Sequence, residues 1–234
     1  MKKYFFLAGL PRAGNTLLGS LINQNSNVCL TANSILMDVL WQLEIIKREN
    51  LYFRNFPDIK SFENITKNVF NNYYADYTAN KIIDRGAWGI PENLNQLKQN
   101  LTNKPKFIIL YRPVLECLAS FVKIEKPKTG ATAEEICDYY MKNDGLVAMS
   151  LCSIKNILDN NEEYLFINYS DLVEEPRQIV KKIFHFIEED YTDIQINDFK
   201  QFSANKLSYN DSVLNAPLHT IRTDEIVKTK TKIE

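Results

Sequence analysis

Cysteine and histidine are scarce in this chain: four and two among 234 residues. Cys29, Cys117, Cys137 and Cys152 contain no C-x-x-C pair and are too few for a disulfide framework. They read as reduced thiols and point to the cytoplasm. With only His185 and His219 beside them, a His/Cys metal centre is excluded, and no carboxylates have metal-ligand spacing. An excess of charge is also missing, with 28 basic and 29 acidic side chains giving a net charge of −1. Nothing global therefore draws the protein to nucleic acid or to an anionic membrane, and any anion site must be local. No apolar run approaches the ~20 residues of a membrane span. The stretch Met1–Ala8 is at the short limit of a signal-peptide core and meets Pro11-Arg12 at once, so it reads as a buried strand. Repeats and linkers are absent, which predicts one domain over 1–234.

What is present is an ordinary globular balance, 45% apolar and 24% charged. Lys3–Ala8 predicts a strand, Gly9–Asn15 a turn, and Thr16–Gln24 a helix. Ile35, Val39, Leu43 and Ile46 have helical spacing, as do Phe62, Ile65, Val69, Tyr73 and Tyr77, and both stripes are expected to face the core. Strands are expected at Lys81–Asp84, Lys106–Tyr111 and Tyr164–Asn168. Pro91 opens a helix, and Pro113 suits the first turn of another that runs through Val122. Glu125–Ala131 reads as a polar loop around Pro127 and Gly130. Thr132 and Glu135 form a capping box for one long helix to about Leu158, and Pro176–Ile187 is amphipathic. From about Ser203 the chain reads as an irregular polar arm. Strands alternating with helices predict an α/β fold with a central parallel sheet and ligands at its carboxyl edge.

The first motif at that edge is Gly9-Leu10-Pro11-Arg12-Ala13-Gly14-Asn15-Thr16-Leu17. A Gly-rich turn between a strand and a helix aims backbone N–H groups at one point, which suits a phosphate. Its spacing is that of a P-loop, G-x-x-x-x-G, closed by the hydroxyl of Thr16. The P-loop lysine is absent, Asn15 stands in its place, and the cation of the loop is Arg12. A nucleotide kinase needs that lysine on its β- and γ-phosphates. The second motif is Phe107-Ile108-Ile109-Leu110-Tyr111-Arg112-Pro113, with Ser120 eight positions beyond Arg112. An arginine fork and a hydroxyl at a strand end suit a phosphate dianion.

Together these motifs resemble the two nucleotide-binding segments of sulfotransferases that use 3′-phosphoadenosine-5′-phosphosulfate (PAPS). The loop resembles their 5′-phosphosulfate loop, Pro-Lys/Arg-Ser-Gly-Thr/Ser-Thr, in the arginine form found in tyrosylprotein and several carbohydrate enzymes. Ala13 and Asn15 depart from that pattern. Arg112 and Ser120 match the 3′-phosphate motif. The resemblance implies a P-loop nucleotide-kinase-like sulfotransferase fold and PAPS as donor, with 3′,5′-phosphoadenosine (PAP) as product. It also implies no metal, and an acceptor bearing a hydroxyl or amine on a glycan, small molecule, lipid or peptide. It implies cofactor contacts from Pro11, Arg12, Ala13, Gly14, Asn15, Thr16, Leu17, Arg112 and Ser120. Tyr169 falls where the family has a tyrosine by the adenine, and Arg85, in Ile83-Asp84-Arg85, where a cation faces the sulfuryl group. Arg222 stands in for a late basic loop, although the characteristic Arg-Lys-Gly is missing.

In-line sulfuryl transfer builds negative charge on the departing phosphate oxygen, so Arg12 is a candidate catalytic cation. The acceptor also needs a base. The family's glutamate position falls on Asn33, which cannot serve, leaving Asp38, Asp84 and His219, of which His219 is carried forward with Arg12 and Arg85 as catalytic. Trp41, Trp88 and the tyrosines near Tyr73 are candidates for an acceptor pocket. Two other readings stay open: a P-loop nucleotide kinase, and a catalytically silent nucleotide-binding protein on the same fold.

Overall fold

The continuous apolar runs of the sequence become strands buried on both faces. The computed structural model describes residues 2–229. The strands are β1 (Lys3–Gly9), β2 (Val28–Asn33), β3 (Lys81–Arg85), β4 (Lys106–Tyr111) and β5 (Glu163–Asn168). They form one five-stranded sheet in the order β2-β3-β1-β4-β5, and each described pairing is parallel. Leu7 registers with Arg85 on one side and with Ile108 on the other. Phe6, Leu7, Ile82, Ile83 and Phe107 to Leu110 are fully enclosed, each contributing roughly 1.5–3 kcal/mol of burial. After β1 the chain goes to one side of the sheet, and after β3 it crosses to the other. The loops leaving β1 and β4 therefore diverge and open a crevice at the carboxyl edge.

The helices are α1 (Asn15–Ile22), α2 (Leu36–Glu49), α3 (Leu51–Asn55), α4 (Ile59–Tyr73), α5 (Pro91–Asn100), α6 (Val114–Thr129), α7 (Ala133–Met141), α8 (Leu146–Asp159), α9 (Tyr169–Glu174) and α10 (Pro176–Phe186). Prolines open α5 and α10 at the position where a missing N–H costs nothing. The capping box of Thr132 and Glu135 starts α7. Among the described residues no helix is long and apolar enough to cross a membrane.

Several sequence expectations are corrected. Edge strand β2 and the short helices α3 and α9 were not anticipated. The predicted loop 125–131 is largely helix: α6 passes through Pro127 and stops at Gly130, whose φ of 69° terminates it. The predicted single helix to Leu158 is two, because Lys142 turns extended and Gly145 passes so near the Tyr140 carbonyl that a Cβ there would lie 2.4 Å from it. The first helical stripe is rotated from the core, and the second is split, with Phe62 buried and Val69 and Tyr77 packed against the core. In α2 the buried positions are Leu36 and Leu40, while Ile35 and Ile46 are exposed. In α4 they are Phe62, Thr66 and Phe70, while Ile65 and Tyr73 are exposed and Tyr77 lies past the helix.

Among the described residues the arm from about residue 203 holds no strand or α-helix, and a 3-10 turn spans Asp211–Leu214. It is nevertheless docked. The Phe202 ring lies where a Cβ on Gly19 would come within 2.5 Å, and Asn23 Nδ2 donates to the Ser203 carbonyl at 2.8 Å. The Gln201 side chain bonds both the carbonyl and the N–H of Ile221, at 2.7 and 3.1 Å.

Candidate active site

The turn between β1 and α1 is tight enough to need special backbone angles. Gly14 has a φ of 91° and Arg12, unusually for a side-chain-bearing residue, 65°. Leu10 N–H donates to the Leu110 carbonyl at 3.1 Å, and Ala13 N–H to the Leu10 carbonyl at 3.1 Å. Asn15 folds beneath the turn: its Nδ2 donates to the Leu10 carbonyl at 2.7 Å, and it is 3% exposed. Its Oδ1 has no hydrogen-bond partner and lies against Gly9, where a Cβ would fall 1.8 Å away. The residue in the place of the P-loop lysine thus braces its own loop from inside.

The two motifs meet above that turn. Arg12 donates from Nε to Ser120 Oγ at 3.1 Å and from Nη1 to the Leu218 carbonyl at 2.7 Å. Arg112, 4% exposed, donates from Nη1 to the Arg12 carbonyl at 3.1 Å, from Nη2 to the Thr229 carbonyl at 2.7 Å, and from Nε to Glu116 at 3.0 Å. Its guanidinium lies 4.4 Å from the centre of the Tyr169 ring, and the Tyr169 hydroxyl bonds Thr229 Oγ1 at 3.0 Å. Burial, and then the charges of Arg112 and Arg85, pull the Arg12 pKa below its ordinary value. The spot is short of negative charge and suited to an anion.

These groups line one wall of a cavity of about 590 Å³. Pro11, Arg12, Gly14, Asn15, Thr16, Leu17, Arg112 and Tyr169 all border it. Ala13 is buried behind the turn, and Ser120 enters through its bond to Arg12. Arg85, His219 and Arg222 line it as well. Arg222 is largely exposed and paired with Asp224 and Glu225 at 3.7 and 3.6 Å. Arg85 Nη1 donates to the Tyr209 hydroxyl at 3.0 Å. The Tyr209 ring stacks on the His219 imidazole, with centroids 3.6 Å apart and planes 7° apart. Asp211 takes the His219 Nδ1 at 2.6 Å and the His219 backbone N–H at 2.9 Å. Burial works to raise the Asp211 carboxyl, but the hydrogen bonds and charge of His219 hold it below the usual value.

The other base candidates separate here. Asp84 is completely buried and accepts from Ser34, Tyr74 and Trp88, so it holds the core beneath the site. Trp88 is fully enclosed and Trp41 stands exposed on α2; neither lines the cavity. Asn33 and Met37 do, with Phe121, Leu146 and Met149. Tyr73 borders a smaller recess of about 150 Å³. Tyr209, Asp211 and the carbonyls of Leu218 and Thr229 had no signal in the sequence, because the arm has no periodicity to place them. Among the described residues no three His, Cys, Asp or Glu side chains group together as metal ligands would.

Residues 2–232 match the family model described as Sulfotransferase domain. No curated protein matches the chain. Among solved structures it is similar to the sulfotransferase domain from the curacin biosynthetic pathway, at 18% identity and a TM-score of 0.54, over 82% of this chain and 75% of that one. It is also similar to the sulfotransferase domain of the Synechococcus PCC 7002 olefin synthase, at 17% identity and a TM-score of 0.57, covering 91% and 83%. The sulfotransferase from Alicyclobacillus acidocaldarius aligns at 11% identity and a TM-score of 0.53, covering 92% and 89%. At these identities the structural likeness speaks for the fold.

Proposed function

The chain belongs to the sulfotransferase domain family, and we propose that it moves a sulfuryl group from PAPS to a hydroxyl or amine acceptor by metal-free in-line displacement. The observation that carries this reading is the meeting of Arg12 and Arg112 at the crevice between β1 and β4. Two arginines brought together there, with Glu116 their one acidic partner among the described residues, favour a ligand with several negative charges. The cavity fits such a ligand in size. It also fits in chemistry, since Arg12 and Arg112 rest on carbonyl oxygens of the arm, acceptors that phosphate oxygens can replace.

Bound PAPS would supply the sulfuryl group and a phosphate leaving group. On this reading the turn from Pro11 to Leu17 holds the 5′-phosphosulfate through its N–H groups, with Thr16 and Ser120 adding hydroxyls. Arg12 steadies the charge that develops on the leaving oxygen. Arg112 grips the 3′-phosphate, with Tyr169 beneath it holding the guanidinium in plane. Arg85 faces the sulfuryl group, Arg222 guards the outer rim, and His219 takes the acceptor proton. Residues 1–234 act as one unit, in which the arm from about 203 walls the cavity. Four unpaired thiols agree with the reducing cytoplasm.

A nucleotide-kinase function is disfavoured by Asn15, whose side chain is folded into its own loop. The deciding experiment has two arms. PAP and PAPS should raise the melting temperature as much in EDTA as in Mg²⁺, and labelled PAPS should pass its sulfuryl group to a member of a panel of glycans, peptides, lipids and small alcohols. Stabilisation by ATP that requires Mg²⁺ would overturn the reading. PAP binding without transfer to any acceptor would reduce it to a silent nucleotide-binding protein.

A further inference from the structure

We propose that Asp211 and Tyr209 are positioning residues that set the tautomer and the plane of His219, leaving its Nε2 as the proton acceptor of the transfer. The inference rests on the sulfotransferase reading above and adds to it two residues of the arm.

The argument begins with hydrogen-bond capacity. An ionised carboxylate only accepts, and a neutral imidazole carries one N–H. With Asp211 Oδ1 at 2.6 Å from Nδ1, the proton sits on Nδ1 and the lone pair on Nε2. The same carboxylate takes the His219 backbone N–H through its other oxygen at 2.9 Å. Two attachments from one side chain fix the imidazole against its own main chain. The 3-10 turn Asp211–Leu214 begins at this aspartate, so its backbone is part of a regular turn.

Tyr209 fixes the remaining freedom. Its ring lies parallel to the imidazole at 3.6 Å, closing one face. Its other neighbour is Phe202, 5.1 Å away, which packs on Gly19 of α1. The stack is thus anchored to the loop–helix unit that carries Arg12. The Tyr209 hydroxyl receives Arg85 Nη1 at 3.0 Å, so the cation at the end of β3 and the imidazole of the arm are held by one side chain. A base is useful only if it reaches the acceptor oxygen while a cation reaches the sulfuryl oxygens, and Tyr209 ties these two groups together.

In the step that follows, His219 Nε2 takes the proton of the acceptor hydroxyl as that oxygen bonds to sulfur. The bond from sulfur to the phosphate-bridging oxygen breaks, and its electron pair stays on that oxygen beside Arg12. The resulting imidazolium remains paired with Asp211, the arrangement by which a carboxylate supports a histidine base in other enzymes.

The test has one readout that needs no turnover. The chain has only two histidines, so ¹⁵N-edited NMR resolves His219 from His185 once His219→Gln assigns it. At a pH high enough for the imidazole to be neutral, His219 of the intact protein should carry its proton on Nδ1, and Asp211→Ala should lose that preference. With an acceptor found by the labelled-PAPS panel, Asp211→Ala should lower kcat by about a hundredfold or more with PAP affinity unchanged. Tyr209→Phe keeps the stack and should keep the tautomer, whereas Tyr209→Leu should lower kcat and raise KM for the acceptor. A neutral His219 with its proton on Nε2, or an Asp211→Ala variant that keeps full kcat, overturns the proposal. An intact protein that transfers to no acceptor sinks the sulfotransferase reading instead, whatever the tautomer.

Discussion

Arg112 donates from Nη1 to the carbonyl oxygen of Arg12 at 3.1 Å, across 100 residues of sequence. One arginine of the cavity wall therefore stabilises the left-handed backbone of the residue that carries the other. Replacing Arg112 by Ala should weaken PAP binding by roughly 2–4 kcal/mol, because a partly buried dianion loses its main partner. Adenosine 5′-phosphosulfate, which lacks the 3′-phosphate, should be affected much less in the same calorimetric titration. Equal losses for both nucleotides would mean that Arg112 acts only by bracing the loop.

Arg12 should show its effect chiefly in turnover. An interaction that strengthens as charge builds on the leaving oxygen acts on kcat more than on binding. Arg12→Ala is expected to lower kcat on the order of 100-fold, or ~3 kcal/mol, with a smaller change in PAP affinity. Ser120→Ala removes the hydroxyl that receives Arg12 Nε and should cost near 1 kcal/mol in the same assays. Steady-state kinetics in which Arg12→Ala keeps full kcat would take it out of the chemistry.

The Thr229 carbonyl occupies a donor of Arg112 that, on the function proposed above, a 3′-phosphate would use. Binding must first break that contact. A chain ending at Glu225 should bind PAP more tightly, by about 1 kcal/mol or some fivefold. Weaker binding by the shortened chain would show that the arm adds more to the bound state than it withholds.

Asp84 makes stability depend on pH. Burial raises its pKa to about 6, against the lowering effect of bonds from Tyr74, Trp88 and Ser34. The folded value lies above the unfolded one, near 3.9, so the folded state binds the extra proton. The contribution is greatest below about pH 4 and is lost as pH rises through about 6, a difference of roughly 3 kcal/mol. Asp84→Asn should flatten this part of the profile in urea denaturation followed from pH 4 to 7. An unchanged profile would show that another group sets it.

The sheet and the cavity wall built by the loop and Arg112 were legible because each rests on a local signal. Buried parallel strands such as Phe107–Leu110 read as unbroken apolar runs, and the loop and Arg112 follow their strands directly. Strand β2 escaped because its apolar run, Val28–Leu30, is only three residues long before Thr31, although the turn residues Asn25, Ser26 and Asn27 precede it. The stripe of α2 and part of that of α4 were misassigned because both helices carry apolar side chains around more of their circumference than they bury, so spacing alone did not fix the buried face. Pro127 signals a break, yet α6 passes through it, with Lys126 and Lys128 favourably placed at the helix end. Of the opposite wall only the separate residues Arg85, His219 and Arg222 were legible. Tyr209 and Asp211 reach His219 and Arg85 through tertiary packing of an aperiodic segment, and only His219 and Arg85 had entered the candidate set.

That wall has a consequence for how the protein is made. During synthesis all five strands leave the ribosome before Phe202, Tyr209, Asp211 and His219 do. The nascent chain can close its sheet and bury most of its apolar residues while the crevice still faces water on one side. Arg12 and Arg112 are then joined to each other but not to the arm. The pair of arginines is thus in place before the cavity is complete in its walls, and any ligand present then would meet an open groove.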